Sequence, residues 1–386
     1  MPGKTKRKRV GLMIEGHAAV PRAIALGVCQ YCKENSPWDI MIETSTGPIA
    51  NERLKAFVNC GAHGVIGDFT PELASFLARS GVPTVDIGPL SDTPFPAVYV
   101  DFRAVGRMIA RHMLERRFLN FAYCANQNLN NQRRLEGFEG ELKLAGFHCS
   151  CHWLPSDRSA CPGALGTACH EWLKALPKPV GLMCNTDMTA LETVWACEHI
   201  GLGVPQDVAI VGCDNDDLFC GISPVPLSTV MHPSAEIGSK AGNLLAQMMS
   251  GGPRPDAHIL VQPMQLIVRA SSDSYAIADP QVAAALQYIR NHAAEPIQVS
   301  DVAKGVSLVR RTLERQFHKL MGRSPRLEIL HAHIDRAKLL LTETRLKIPA
   351  VAAKAGFKRR QVLSPLFKKA TGLTPSEYRQ KYWHGP

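Results

Sequence analysis

The sequence predicts two successive α/β lobes followed by an all-α domain built from a repeated helix-turn-helix. Three observations predict this: short β-like runs alternate with helical stretches from Val10 to about Arg269; the pattern is wholly helical after about residue 280; and charge is divided unequally between the two parts. At 386 residues the chain exceeds one hydrophobic core and suggests two or three domains. A composition of 45% apolar and 20% charged residues is that of a globular protein and argues against disorder of the whole chain.

The net charge is +10, but residues 284–386 hold 20 Lys/Arg against 7 Asp/Glu. Lys4, Lys6, Arg7, Lys8 and Arg9 make residues 1–9 a basic tail, which leaves residues 10–283 at a net −8. A basic domain tethered to an acidic one is expected when only one of them meets phosphates. No apolar run approaches the roughly 18–20 residues that span a bilayer, and the start offers only a five-residue apolar stretch before Glu15, too short for a signal-peptide core. A cytoplasmic protein without membrane contact is expected. All twelve cysteines lie between Cys29 and Cys220 without framework spacing, and Cys29/Cys32 and Cys149/Cys151 have no matching second pair. Buried free thiols are expected, with no disulfide, metal or cofactor.

Val10–Ile14, Ile40–Glu43, Gly64–Ile66, Thr84–Ile87 and Val98–Val100 read as the first strand series, with helices at Pro21–Asn35, Glu52–Asn59 and Pro71–Arg79 between them. Phe121–Cys124, Cys149–Trp153, Val180–Cys184 and Val208–Cys213 form a second series, separated by helices near Asn131–Leu144, Ala164–Leu176 and Thr186–Gly201. The helix Ser234–Ser250 and the strands Ile259–Val261 and Gln265–Val268 come after both and are available to cross back. Residues 10–269 therefore read as a hinged bilobal sensor with its ligand in the cleft, outside the strand C-termini. Fold alone leaves an enzyme with two nucleotide-binding-like lobes open. The Ser-rich stretch 270–280 reads as a linker.

Residues 281–386 read as the helical domain. Gln281–His292 is amphipathic, with Val282, Leu286 and Ile289 on one stripe. Ser300–Phe317 reads as a helix, a tight turn at Gly305 and a second helix whose Leu313, Phe317 and Leu320 face inward while Arg310, Arg311, Glu314 and Arg315 project outward. That outward N-terminal part is what a recognition helix presents to base edges in the major groove. Ile348–Lys369 repeats the unit, and Pro325–Thr342 reads as one long joining helix with Arg336 and Lys338 on its polar side. Two such units on one rigid helix can enter successive major grooves about 34 Å apart.

The segments Arg336-Ala-Lys-Leu-Leu-Leu, Ala355-Gly-Phe357 and Phe367 through Arg379 resemble AraC/XylS-type DNA-binding domains over residues 281–382. The resemblance implies base contacts from Arg310, Arg311, Glu314 and Arg315 in the first unit, and from Arg359, Arg360 and Gln361 in the second. Val309 stands where such helices have a capping Ser, leaving Ser307 as the nearest capping hydroxyl, and Pro365 falls inside the second recognition helix.

Upstream, Arg134-Leu-Glu-Gly-Phe138, Asn185 through Ala190, Val211 through Asp216 and Pro226 through Val230 resemble LacI/GalR-type sensors, which share the periplasmic-binding-protein-like fold. A sensor of that type ahead of an AraC-type domain is the order found in bacterial xylose-operon regulators. The resemblance implies a transcription regulator, a homodimer on double-stranded DNA, with a monosaccharide effector, D-xylose first. It implies contacts from Arg134, Asp187, Asp214 and Asn215, with Glu15 and Arg22 from the first lobe. Sugar hydroxyls both donate and accept, so carboxylates, an amide and a guanidinium suit them. Val20 stands where an aromatic cover for an apolar sugar face is expected. No Pro-Cys-His-Arg nucleophile, Gly-x-Ser-x-Gly elbow or phosphate-binding Gly loop is present, so an enzyme, including a DNA-repair enzyme with such a helix-turn-helix, is not expected; regulation by another small polar ligand is the alternative.

Overall fold

The computed structural model describes residues 7–16, 18–35, 37–45, 47–88, 93–155, 165–252, 258–277, 279–358 and 360–383, and the chain divides into two units. The first runs to Leu114 and from Leu119 to Ser272; the second consists of Glu115–Phe118 together with Asp273 onward.

The first unit opens with β1 (Lys8–Met13), α1 (Ala19–Glu34), β2 (Trp38–Glu43), α2 (Pro48–Asn59), β3 (Gly64–Gly67), α3 (Pro71–Ser80), β4 (Thr84–Asp86) and β5 (Ala97–Val100). Lys8 and Arg9 thus belong to β1 rather than to the basic tail; the Arg9 guanidinium lies 4.9 Å from the centre of the Phe57 ring. Lys4 and Lys6 lie outside the described residues. Then comes α4 (Phe102–Glu115), followed by β6 (Asn120–Asn126), α5 (Leu129–Leu144), β7 (Cys149–Leu154), α6 (Gly166–Ala175), β8 (Val180–Cys184), α7 (Asp187–His199), β9 (Val208–Cys213), α8 (Asp217–Ile222), β10 (Ser228–Met231) and α9 (Ser234–Met249). Finally β11 (His258–Val261) joins the first sheet, ordered β11-β5-β4-β3-β1-β2, and β12 (Gln265–Ile267) joins the second, ordered β12-β10-β9-β8-β6-β7.

Strands paired in parallel and covered on both faces need continuous apolar runs, and β3, β8 and β9 are buried at every residue. β12 pairs antiparallel with β10 at the sheet edge. The stretch read as a linker begins inside the first unit: Ser271 and Ser272 are fully buried there, with the Ser271 hydroxyl donating to the Ile210 carbonyl at 2.7 Å.

In the second unit α10 (Pro280–Asn291) is capped by Asp279, whose carboxylate accepts from the Gln281 and Val282 amides at 2.9 and 3.0 Å. α11 (Val299–Gly305) and α12 (Arg310–Met321) form the first helix-turn-helix, and α14 (Ile348–Lys354) and α15 (Arg360–Thr371) the second, joined by α13 (Pro325–Glu343); α16 (Pro375–Tyr382) follows. Val282, Leu286, Ile289, Val302, Leu313 and Phe317 are buried in one core. Gly305 closes the first helix because a Cβ there would sit 2.2 Å from the Tyr288 ring, so no side chain fits. α12 starts at Val309 without a side-chain cap, and Ser307 does not supply one: it occupies a left-handed turn at φ 55°. Pro365 lies in the second turn of α15, which continues through it although a proline there gives up its own amide's bond and crowds the carbonyl four residues before it.

Candidate functional site

A cavity of about 460 Å³ opens in the first unit, within the range of small-molecule sites. Its polar lining arrives from strand ends in both sheets: Glu15 after β1, Asp68 after β3, Asn126 closing β6, Asn185 after β8, Asp214 after β9 and His232 after β10. A backbone that emerges from a parallel sheet must turn there, which puts short polar side chains at the crevice.

On the second-sheet side the polar groups hold one another. Arg134 Nη1 donates to Asn131 Oδ1 at 2.6 Å, Asn131 Nδ2 donates to Asn126 Oδ1 at 2.7 Å, and Asn185 Nδ2 donates to the same oxygen at 2.9 Å. The Arg134 guanidinium lies 4.6 Å from the centre of the Phe102 ring, so a charge that is 8% exposed is held by an amide and an aromatic face. Around the cavity several polar atoms are buried without a hydrogen-bond partner: Asp68 Oδ1, Asn130 Oδ1, Arg134 Nε, Asn185 Oδ1 and both ring nitrogens of His232. His232 Nε2 is 3.3 Å from Asp214 Oδ1, close enough for attraction but not aligned as a hydrogen bond. Each such atom costs about 1–3 kcal/mol unless a ligand or water satisfies it, and a cluster of both donors and acceptors matches hydroxyl groups.

On the first-sheet side the Asp68 carboxyl is pushed up to about 7, by burial first and then by the negative charges of Asp86 and Glu15. Asp86 is also raised, chiefly by burial, against a Gly88 amide and a Thr93 hydroxyl that donate to it at 3.0 and 2.8 Å. The two sides of the cavity meet where Asp216 caps α8 by accepting from the Leu218 amide at 2.9 Å and accepts with its other oxygen from the Ala19 amide at 3.3 Å.

Of the residues expected to touch an effector, Glu15, Arg134 and Asp214 line the cavity; Asp187, Asn215 and Arg22 do not. Asp187 is fully buried beneath it, where its Oδ2 accepts from the Asp216 amide at 2.8 Å, and burial followed by the nearby Asp214 raises its carboxyl well above the ordinary value. Gly212 makes room for it, since a Cβ there would lie 2.3 Å from Asp187 Oδ1. Asn215 is turned away: its Oδ1 accepts from Arg269 Nη2 at 3.0 Å, because Asp214 and Asn215 both take left-handed backbone angles, φ 107° and 50°. Arg22 is exposed and donates to the Gly16 carbonyl at 2.9 Å. Val20 does line the cavity, and aromatic surface comes instead from Tyr99, Phe102 and Phe219.

On α12 of the second unit, Arg310, Arg311 and Arg315 are exposed. Glu314 accepts from Arg310 Nε at 2.8 Å, an i,i+4 pair that holds one guanidinium along the helix. Arg359 lies outside the described residues, as do the side chains of Arg360 and Gln361, which open α15. Arg336 is not a free polar-face residue: its Nε donates to the Lys354 carbonyl at 2.7 Å, tying α13 to the end of α14.

Residues 110–272 match the model of the periplasmic binding protein-like domain, and residues 302–381 match a helix-turn-helix domain. The chain is 30% identical to the xylose operon regulatory protein of Escherichia coli K12 over 97% of each chain, and 26% identical to that of Haemophilus influenzae over 96% of this chain and 98% of the other. The chain belongs to the family of xylose operon regulatory proteins. The structure of a xylose-binding transcription activator superimposes on 98% of this chain and 100% of its own, with 28% identity and a TM-score of 0.63.

For a member of this family, sequence reasoning overlooked Asp68, Asn130, Asn185 and His232 at the cavity. A signal for three of them was present: Asn185 lies directly after the predicted apolar strand Val180–Cys184, Asp68 follows Gly64–Ile66 after one intervening residue, and His232 follows the Ser-Thr-Val run of β10. No helix among the described residues is long and apolar enough to cross a membrane.

Proposed function

We propose that this chain is a cytoplasmic transcription regulator whose operator binding is set by a monosaccharide, D-xylose, held in the cavity of the first unit. The observation that carries the sugar reading is the set of buried, unpartnered donors and acceptors converging on one cavity from strand ends of the two sheets. Glu15 and Asp68 would accept from hydroxyls on one side, while Arg134, Asn185, Asp214 and His232 would bind them on the other; Asp187 acts from below by fixing the Asp216 amide. The related structure is that of a xylose-binding transcription activator, which makes this pentose the first effector to test.

DNA would be read by α12 through Arg311 and Arg315, with Arg310 restrained by Glu314, and by α15 through Arg359, Arg360 and Gln361. A homodimer would place two such pairs on a repeated operator, since symmetric proteins meet symmetric sites. Isothermal calorimetry of the full chain with D-xylose, other pentoses and hexoses tests the sugar reading. Saturable binding of D-xylose that is weakened in Arg134→Ala supports it, and no heat with any monosaccharide overturns it.

A further inference from the structure

The second unit includes the last residue of α4 and the three that follow it, Glu115–Phe118, and one of them, Arg116, is at the centre of a buried polar knot. The Arg116, Arg290 and Arg323 guanidiniums lie 5.7, 4.6 and 6.0 Å from the centre of the Tyr275 ring. The Tyr275 hydroxyl donates to Glu328 Oε1 at 2.5 Å and accepts from Arg323 Nη2 at 3.0 Å, and Arg323 Nε donates to Glu328 Oε2 at 2.6 Å. Arg290 Nε pairs with Asp273 Oδ1 at 2.9 Å, and Arg116 Nη2 approaches the same oxygen at 3.8 Å. The Ala276 amide donates to the Arg116 carbonyl at 3.0 Å, fixing the backbone as well.

Three guanidiniums thus share one ring and two carboxylates, and Arg290 Nη2 is buried with no hydrogen-bond partner. A buried polar network with an unsatisfied member is sensitive to a change in any of its groups. The knot joins the last turn of α10 (Arg290) to the first turn of α13 (Glu328), the two helices that flank α11 and α12 in sequence. A change in it is therefore a change in the frame of the first helix-turn-helix.

The chain feeding this knot starts at the cavity. α4 begins at Phe102, the ring under the Arg134 guanidinium, and ends at Glu115, about 20 Å further on at 1.5 Å per residue. In its last turn His112 Nε2 lies 2.8 Å from the Ser272 hydroxyl, within the first unit. The two segments that continue as Arg116 and Asp273 are therefore tied to each other before they enter the second unit, and they pair again inside it.

We propose that the knot around Tyr275 is the coupling element of the regulator: sugar that engages Arg134 alters its seat on Phe102, α4 shifts, and Arg116 repartitions between Tyr275 and Asp273, which resets α13 against α10. A coupling claim requires an element whose arrangement both sites bias, and the cluster is placed for that role, since Arg116 already lies near both the Tyr275 ring and Asp273. The inference rests on the reading of the cavity as a sugar site and of α12 as a DNA-reading helix.

The test uses the full chain and a duplex selected by the parent protein from a random-sequence pool. Duplex affinity is measured with and without saturating D-xylose for the parent, Arg116→Gln, Tyr275→Phe and Arg111→Ala; Arg111 lies on α4 but pairs at the surface with Glu141. The expected parent ratio is fivefold or more, within the usual range for coupled sites. Arg116→Gln and Tyr275→Phe should bring it below twofold while D-xylose affinity without DNA stays within threefold of the parent, and Arg111→Ala should keep the parent ratio. Tyr275→Phe deletes one oxygen and keeps the ring, so it carries the test if Arg116→Gln does not fold. A parent-like ratio in both folded variants overturns the proposal, as does a tenfold loss of sugar binding in both, which would make the knot a support of the cavity. A parent that binds no D-xylose refutes the cavity reading itself, a failure visible before any variant is made.

Discussion

Replacing Asp68 by Asn should stabilise the protein at alkaline pH and weaken its effector binding. The Asp68 carboxyl sits against Asp86 and Glu15, and burial with those charges raises it from an ordinary 3.8 to about 7. Between these values the unfolded chain has released this proton while the folded chain keeps it, so stability falls as pH rises, by about 1.4 kcal/mol per pH unit. The fall begins near pH 4, ends near pH 7 and amounts to at most about 4 kcal/mol, after which this group contributes no further slope. Asn carries no charge at any pH, so Asp68→Asn should match the parent near pH 4.5 and exceed it at pH 8. For a unit of this size that surplus corresponds to roughly 8–15 °C in Tm. Asp86 and Asp187 are displaced in the same direction and contribute to the parent's own profile, so the quantity to read is the difference between parent and variant. Thermal melts of both proteins at half-unit pH steps give it. A difference that stays constant from pH 4.5 to 8 would refute the assignment of Asp68 as a carboxyl held protonated by its surroundings. The same variant should bind D-xylose more weakly above pH 7, where the ionised carboxylate can accept with both oxygens and the amide with only one.

The other expectations address individual residues. His232→Phe keeps the ring volume but removes both nitrogens that lack partners, and should lower sugar affinity by about 10–100-fold in calorimetry; unchanged affinity would take His232 out of the site. Asp187→Asn retains an acceptor for the Asp216 amide in a site that already favours an uncharged group, so it should bind sugar within a few-fold of the parent, whereas Asp187→Ala should lower the first unit's Tm. Arg311→Ala and Arg315→Ala should each cost about 1–3 kcal/mol of duplex affinity where they meet bases, or reduce the salt dependence of binding by about one ion where they meet phosphate; a variant with neither effect does not touch DNA.

The parallel sheets were legible because strands such as β8 and β9 must be apolar on both faces, and that leaves an unbroken run in the sequence. α4 was passed over although Phe102, Val105, Ile109 and Met113 recur at helical spacing; its arginines and histidine mask the apolar stripe. At the cavity the residue types were readable and their directions were not. Asp187 and Asp214 both follow buried strands, but only the left-handed angles at Asp214 and Asn215 decide that one carboxylate faces the cavity while the other lies below it. The Ser-rich segment after Ala270 looked like a tether because serine is polar, yet Ser271 and Ser272 are buried with their hydroxyls bonded to the Ile210 carbonyl and to Ser228. Hydrogen bonds across more than forty residues leave no local pattern.

The central claim is that one molecule carries both a sugar cavity and a DNA-reading surface that answer to each other. Fluorescence anisotropy of a labelled selected duplex with the full chain, titrated with D-xylose, tests it most directly, with Arg134→Ala run in parallel. The account predicts that D-xylose changes the parent's duplex affinity at least fivefold and that the Arg134→Ala midpoint moves at least tenfold toward higher sugar. An affinity indifferent to D-xylose, or a response with the same midpoint in parent and variant, would contradict it.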